Sequence, residues 1–349
     1  MTKTKRVLII INRSSSTGHN EAVIERLNSM LKSSLGQGID LHIKVVDEHI
    51  QAKEQTELFL AMSAAPALII SGGGGGTLRA VIEGICKDTE AGRLPGGDRV
   101  RIATLRMGSG NIVAKQFGVP VDPETALTGI ITNLKNDRVA PCCVMRCEIG
   151  GDKAPPDVCH AVAMAGFGQF GRSPGDLARW HRRLPLLRKL VAKIIGIERL
   201  NTIEYGLSMS IRLTWCVLCP NAAELIEVRI GERTEKMRLL AGVVMNFPLK
   251  QLPFDPGVRV EEAALSLNLI PCPGRWILLF SLAFPRRLVR KALQFQIGSS
   301  DRVEINLVNR DAVEFFLDED PAILREKVMI QVAGTLAFVP GPDYHWPQG

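Results

Sequence analysis

Aromatic residues are scarce in this sequence of 349 residues, at 5% of the total. Proteins that bind single-stranded nucleic acid stack bases on aromatic side chains, and no such platform is visible, which argues against a nucleic-acid partner. The formal net charge is nevertheless +7 and the pI about 9.1. This excess favours a different anionic partner, such as a nucleotide or an acidic membrane surface.

Long apolar runs are also missing. No stretch reaches the roughly 18 residues needed to span a bilayer, and the longest candidate runs only from Trp276 to Phe284. The N-terminal apolar run is short and lacks a small-residue cleavage site, so it is unlike a signal peptide. We therefore expect a cytoplasmic protein with reduced cysteines. One C-x-x-C pair, Cys216 and Cys219, reads as part of a strand and has no second pair at zinc-site spacing.

The composition is that of a folded protein, with 46% hydrophobic and 23% charged residues, and the length suits two domains. In the first third, apolar β-branched runs alternate with helical patterns, which predicts βαβ units and a parallel sheet. The predicted strands are Arg6 to Asn12, Ile39 to Val46, Ala67 to Gly72 and Arg99 to Arg106. The predicted helices are Asn20 to Leu35, Ala52 to Ala64 and Thr77 to Asp88, with two more at "NIVAKQFG" and "PETALTGIITNLKN".

From about Val139 to Leu317 the pattern changes to short strands separated by Gly and Pro turns, which predicts a mainly antiparallel β domain. The expected strands are "CVMRCEI", "CHAVAMAGF", "LSMSIRLTWCVL", "LIEVRIG", "EKMRLLAGVVMNF", "LSLNLIP", "VEINLVN" and "VEFFLD". Two helical stretches interrupt them, near Gly175 to Gly196 and near Pro285 to Ile297.

Five consecutive glycines, Gly72 to Gly76, separate the third strand from the third helix in "IISGGGGGTLRAVIEG". They lie beyond the carboxyl end of a strand, where open parallel sheets bind ligands. The N–H groups of consecutive glycines, with the following helix N-terminus, form an anion site suited to phosphate. Two familiar motifs are absent: no lysine follows as in a P-loop, and G-x-G-x-x-G would need glycine at Thr77 or Leu78.

Two further turns follow predicted strands in the same way. "ATLRMGSGNIVAKQF" runs from a strand through Gly, Ser and Asn into a helix, where Ser109 and Asn111 are suited to bind phosphate or cap the helix. "INRSSSTGHN" is a polar turn after the first strand. Because the carboxyl ends of parallel strands meet at one edge of a sheet, we expect the three turns to line a single rim.

These segments carry a family resemblance. "SGGGGGTLRAVIEG" resembles the "GGDGTLNEVVNG" signature of the diacylglycerol kinase catalytic domain family, and "LRMGSGNIVAKQFGVP" resembles its "LPLGTANDFAR.LGIP" segment. "INRSSSTG" is similar to the family's "NPxSG" strand end. Near the C-terminus, "VEFFLDEDPAIL" resembles the stretch that carries "DGEP", and "MIQVAGTLAFVP" resembles the closing strand pair. The order of the parts is kept over nearly the whole length.

The resemblance implies a kinase of a lipid alcohol, related to sphingosine and ceramide kinases, with ATP and Mg²⁺ in a cleft. It implies an α/β nucleotide-binding domain, like those of NAD kinases and diacylglycerol kinases, over residues 1–138 with a returning segment 322–349. A β-sandwich-like lipid-substrate domain would cover 139–321. Asp318 or Asp320 would be the general base, in the family's Asp-Gly-Glu stretch. The implied nucleotide contacts are Asn12, Ser14, Gly72, Gly73, Gly74, Gly75, Gly76, Thr77, Arg79, Arg106, Gly108, Ser109 and Asn111.

The sequence departs from the family pattern at three acids, which are replaced by Gly75, Ala80 and Ile112. Mg²⁺ prefers carboxylate oxygens, so the rim attracts metal less, whereas Arg79 and Arg106 make it more attractive to anions. Two alternatives therefore stay open beside the lipid kinase. One is a catalytically impaired relative that binds nucleotide or lipid, and the other is a soluble-metabolite kinase resembling NAD kinases.

The segment Ala178 to Gly196 combines six basic residues with apolar residues at helical spacing. Leu187, Leu190, Val191 and Ile194 follow the i, i+3, i+4, i+7 pattern of a basic amphipathic helix, which is typical of contact with an anionic membrane. A second such segment runs from Phe284 to Phe295. We expect peripheral association with the inner membrane surface, and an ordinary surface helix is the alternative.

Overall fold

The computed structural model describes residues 4–15, 20–35, 38–87, 94, 99–108, 111–150, 155–248, 257–259, 261–283, 291–308, 312–318 and 320–346. The chain divides into two compact units. Unit 1 comprises Met1–Val144 and Ala333–Gly349, and unit 2 comprises Met145–Val332. The divisions fall inside two long strands, β5 (Ala140–Gly150) and β15 (Lys327–Phe338).

Unit 1 has the predicted parallel α/β fold. Its strands pair in parallel in the order β2-β1-β3-β4-β15, and β1 and β3 are buried along their whole length, as strands covered on both faces should be. The elements that precede β5 are β1 (Arg6–Asn12), α1 (Glu21–Leu35), β2 (Asp40–Val46), α2 (His49–Met62), β3 (Ala67–Gly73), α3 (Gly75–Lys87), β4 (Val100–Arg106), α4 (Ile112–Gln116) and α5 (Pro123–Lys135).

The order of these strands creates a topological switch point. From β1 the chain passes through α1 to β2 on one side, and then through α2 back across β1 to β3 on the other side. In open α/β sheets, ligands bind outside the carboxyl ends of the strands where the winding direction reverses in this way. The expected ligand position is therefore between the ends of β1 and β3, at Asn12 and Gly73.

The end of the chain completes unit 1. The last residues of β15 pair with β4, and the Phe338 ring stacks on Phe117 with 3.9 Å between ring centroids. The side-chain amide of Asn133 donates to the carbonyl oxygens of Pro340 and Gly341 at 3.0 and 3.2 Å. Because these contacts are buried, the returning segment is part of the core of unit 1.

Unit 2 is mainly antiparallel, as predicted. Its strands follow the order β14-β13-β7-β9-β8-β12-β15, with β10 pairing β9 and β11. Its strands between β5 and β15 are β6 (Asp157–Ala161), β7 (Met164–Phe167), β8 (Glu224–Ile230), β9 (Arg233–Met245), β10 (Leu265–Pro271), β11 (Leu293–Ile297), β12 (Arg302–Leu307), β13 (Ala312–Leu317) and β14 (Asp320–Arg325). Its helices are α6 (Gly168–Gly171), α7 (Ser173–Arg183), α8 (Pro185–Ile195), α9 (Ile197–Leu218) and α10 (Arg275–Ala283), with a 3₁₀ turn at Pro220–Ala222.

Three sequence predictions for unit 2 are wrong. "LSMSIRLTWCVL" is not a strand but the second half of α9, so Cys216 is helical. The basic segment from Ala178 to Gly196 is not one helix, because Pro185 starts a new helix and disfavours helical geometry at Leu184. The stretch predicted as helix up to Ile297 ends in the strand β11, and residues 284–290 lie outside the described residues. Among the described helices, none is long and apolar enough to cross a membrane.

Candidate functional site

Buried side chains tie the end of β1 to the start of α3. The Nδ2 group of Asn12 donates to Oγ1 of Thr77 at 3.1 Å, and both side chains are buried. Oδ1 of Asn12 accepts a hydrogen bond from the main-chain N–H of Ser14 at 2.9 Å. The Ser14 hydroxyl donates to the carbonyl of Asp47, just after β2, at 2.9 Å. These residues therefore hold the turns after β1, β2 and β3 in register.

The turn after β4 lies directly against the glycine turn. A Cβ atom placed on Gly108 would be 2.3 Å from Cα of Gly74 and 2.8 Å from its nitrogen, so the two main chains touch. Asn111 has a left-handed backbone with φ of 53°. Its Oδ1 accepts from the N–H of Gly108 at 3.1 Å, and its Nδ2 donates to the carbonyl of the same residue. Asn111 thus shapes the turn that Gly108 presses against Gly74.

The first turn of α3 presents main-chain donors at this point. The helix makes its first internal hydrogen bond from the N–H of Leu78 to the carbonyl of Gly74, at 3.1 Å. The N–H groups of Gly75, Gly76 and Thr77 come before it and have no acceptor within the helix. Gly75 and Gly76 carry no side chain to cover them. Together with the positive end of the helix dipole, they provide the chemistry of an anion site.

His49 is a residue of this region that the sequence reasoning missed. It is the exposed first residue of α2, and a Cβ atom placed on Gly76 would lie 2.3 Å from its Cε1. Only glycine at position 76 permits this approach, and an imidazole N–H can donate to a phosphate oxygen. The signal was present in the sequence, because His49 follows β2 at the edge where the turns after β1, β3 and β4 were already placed.

Four of the remaining predicted nucleotide contacts lie on or next to the same turns. Gly72 and Gly73 are the last residues of β3, and Arg106 is the last residue of β4. Arg79 lies in the second turn of α3, and both arginines are half-buried and interact with other protein groups. Ser109 lies outside the described residues. Their roles in nucleotide binding stay predictions.

The two predicted acids of unit 2 differ in their surroundings. Asp318 is buried, has φ of 48°, and its carboxylate accepts hydrogen bonds from the N–H groups of Val162, Ala163 and Met164 at 2.7, 2.7 and 3.0 Å. It therefore stabilises the turn between β6 and β7. Asp320 is the first residue of β14 and is half-buried. Of the two carboxylates, that of Asp318 already has a structural task.

The rim of unit 1 does not fit a protein-held magnesium ion. Mg²⁺ is bound by carboxylates in octahedral geometry, whereas Gly75, Ala80 and Ile112 offer no side-chain donor. Within the described residues, no three or more His, Cys, Asp and Glu side chains cluster as metal ligands would.

Cys216 of the C-x-x-C pair is buried, and burial raises its pKa to about 12, which keeps the thiol protonated.

A comparison with models of protein families finds a match in the part of the chain that contains this rim. The model of the diacylglycerol kinase catalytic domain matches residues 6–140. These residues are similar to that family. The match contains all three strand-to-helix turns of the site and confirms the resemblance for this part of the chain. The family that the model describes is one of kinases, and kinases use a nucleotide, so the match supports nucleotide use at this coarse level.

Solved structures share the fold over nearly the whole chain. A protein provisionally named a diacylglycerol kinase, from Bacillus anthracis strain Sterne, is 16% identical with a TM-score of 0.66, over 98% of this chain and 99% of that one. A second such structure, from the same organism, is 17% identical with a TM-score of 0.65, over 98% and 97%. Yeast NADH kinase, in complex with NADH, is 10% identical with a TM-score of 0.52, over 99% and 86%. A search of curated proteins found no match.

Proposed function

We propose that the protein binds ATP at the switch point of unit 1 and transfers the γ-phosphoryl group to the hydroxyl of a lipid. The observation that carries the proposal is the main-chain contact between Gly74 and Gly108 beside the open N-terminus of α3, within a diacylglycerol kinase catalytic domain. Because Gly75 and Gly76 have no side chains, their N–H groups at the start of α3 are suited to bind phosphate oxygens.

The proposed reaction is an in-line displacement. The lipid hydroxyl oxygen attacks the γ-phosphorus, the bond from phosphorus to the bridging oxygen breaks, and ADP leaves with that electron pair. The hydroxyl proton passes to a carboxylate, which we assign to Asp320, because the Asp318 carboxylate is occupied by three main-chain donors. The first turn of α3 and the His49 ring would donate hydrogen bonds to the phosphates, and Arg79 and Arg106 stay the predicted arginine contacts.

A non-catalytic nucleotide-binding relative is the second candidate, and two observations favour it. The three positions at which the family has acids carry no donor, and one of the two remaining acids, Asp318, is a buried structural group. In this case ATP binding would persist without phosphoryl transfer. The yeast NADH kinase fold raises the further option of a soluble dinucleotide acceptor.

The test measures binding and transfer separately. ATP binding is measured by calorimetry with Mg²⁺ and with a chelator, and we expect similar affinities because the rim supplies no metal ligand. Transfer is measured with γ-labelled ATP and a panel of detergent-dispersed lipid alcohols, with NAD and NADH as soluble acceptors. We expect label in a lipid. Binding without label in any acceptor would establish the second candidate, and label in the dinucleotides alone would establish the NADH-kinase-like reaction.

Two matched variants test the assignment of the base. Asp320→Asn should lower the transfer rate by roughly 10²- to 10⁴-fold, the usual contribution of a general base. Asp318→Asn should lower stability. The carboxylate accepts hydrogen bonds from main-chain N–H groups, and the amide would place its own N–H donors against some of them. Full activity of Asp320→Asn would contradict the assignment.

A further inference from the structure

The helices of unit 2 carry apolar side chains on the side that faces away from the core. Along α9, Ile203, Leu207, Ile211 and Trp215 recur at four-residue spacing, and each is at least half exposed. On α10, Trp276 and Phe280 are likewise exposed, Trp276 by 76%. We call these six side chains the outer face. Single exposed apolar residues are ordinary, whereas a continuous set of large ones marks an interaction surface.

The outer face belongs to helices that are already anchored from below. Leu213 and Cys216 of α9 and Leu278 of α10 are buried in one cluster with Leu240 and Ile270 of the sheet. The helices α9 and α10 pack against each other and share that cluster, so the exposed side chains of the outer face lie on neighbouring helices. The six side chains of the outer face therefore do not take part in the core of unit 2, and their exposure to water is unfavourable.

Among the described side chains of α7 to α10, the charged residues that are exposed are all basic. Arg182, Arg183, Lys193 and Arg275, at the end of α7, on α8 and at the start of α10, are exposed. The acids of α7 and α9 whose side chains are described point inward into ion pairs. Glu204 lies 2.9 Å from His181 and 3.4 Å from Arg188, and Asp176 lies 2.6 Å from Arg212. Lysine and arginine beside an apolar helical face are typical of helices that lie in the interface of anionic membranes.

We infer that the outer face inserts into the surface of an anionic phospholipid bilayer. Trp215 and Trp276 are suited to this position, because tryptophan rings prefer the interface between acyl chains and headgroups. A second copy of the chain fits less well, since a two-fold interface would bring the same positive rim against itself. The inference rests on the proposed function, because a kinase of a lipid must reach its substrate in a bilayer. Contact between the outer face and the bilayer does not itself require a nucleotide.

The experiment uses the full chain, without ATP, and vesicles of equal parts phosphatidylcholine and phosphatidylserine. We expect co-sedimentation with the vesicles, a blue shift of tryptophan emission and quenching by brominated lipid. Binding should survive molar salt in part, because insertion of apolar side chains is not screened as charge attraction is. The double variant Trp215→Phe, Trp276→Phe should lose most of the quenching.

The deciding variant is Leu207→Gln with Ile211→Gln, two exposed side chains one turn apart. Burial of one such side chain is worth roughly tenfold in a binding constant, so the double variant should bind at least about tenfold more weakly. The matched control is Leu58→Gln with Met62→Gln, which lie one turn apart on α2 and are 57% and 66% exposed, against 52% and 51% for Leu207 and Ile211. The control should bind vesicles as the natural protein does.

Three results would overturn the inference: no binding to the vesicles, equal binding by both double variants, or a dimer that only Leu207→Gln with Ile211→Gln dissociates. The last would assign the outer face to a second copy. These outcomes are separable from failure of the proposed function. Phosphorylation of detergent-dispersed lipid without vesicle binding removes only the inference, and vesicle binding without transfer removes only the kinase reaction.

Discussion

Substitution of Gly108 by alanine tests the contact on which the nucleotide site depends. The new Cβ would lie 2.3 Å from Cα of Gly74 and 2.8 Å from its nitrogen, well inside van der Waals contact, and both neighbouring atoms belong to the main chain. No side-chain rotation relieves such an overlap, so the turns after β3 and β4 must separate. Overpacking of this kind costs about 1–3 kcal/mol of folding free energy.

Gly74→Ala is the matched control. Its Cβ would meet only Cα of Gly108, at 3.5 Å, which is an ordinary contact, and neither glycine has a left-handed φ angle. Replacement of glycine at a compatible position changes stability by only about 0.4–1 kcal/mol, in the stabilising direction. The two variants therefore differ in sign although they add the same methyl group to the two sides of one contact.

The assay is urea-induced unfolding, monitored by hydrogen exchange. Exchange is measured in peptides of β3 and β4, so that it reports on unit 1 separately from unit 2. ATP affinity is measured on the same samples. Gly108→Ala should unfold at lower urea and bind ATP more weakly, whereas Gly74→Ala should unfold at the same or a slightly higher urea concentration. Equal effects of the two substitutions, or no effect of Gly108→Ala, would show that the two turns are not in the described contact.

Two more predictions concern stability. Asn133→Ala should cost about 1–3 kcal/mol in urea unfolding, because two buried carbonyls of the returning segment lose their donor; the exposed Asn136→Ala is the control, and equal losses would contradict the role. Burial alone would raise the pKa of Asp176, yet hydrogen bonds from Arg212 and neighbouring groups outweigh it and hold that pKa below its ordinary value. Its carboxylate therefore contributes stability above about pH 4 that is lost as the pH falls further. Urea unfolding should show Asp176→Asn less stable at pH 7 and less sensitive to acid below pH 4, and an unchanged acid dependence would refute this.

The parallel sheet and the site on its edge were predictable because their signals are local. Strand, glycine turn and helix follow one another within about twenty residues at Gly72–Gly76, and the rule for carboxyl ends of strands places them without knowledge of the packing. The same rule applied to β2 would have found His49. Its contact with Gly76 could not be read from the sequence, because it depends on the crossing of α2 over the sheet.

Helix α9 was not predictable from periodicity for a physical reason. Its inward residues, such as Leu213 and Cys216, and its outward residues, such as Leu207 and Ile211, are both apolar. The stretch therefore lacks the alternation of apolar and polar faces by which a surface helix is recognised, and a short run of this kind resembles a buried strand. The structural role of Asp318 could not be predicted either. The three main-chain donors to its carboxylate lie in a turn about 155 residues earlier in the chain.

The position of β15 determines how the protein must fold. Its last residues supply the partner of β4, and Asn133 closes on a carbonyl 207 residues later in the chain. Until that segment arrives, one edge of the β4 strand exposes unpaired N–H and C=O groups, an edge of the kind that favours aggregation. Contacts so distant in sequence also slow folding, because the loop must close before they form. Synthesis of the first 144 residues alone would thus yield an incomplete sheet, and chaperone dependence should decrease sharply once the final strand is available.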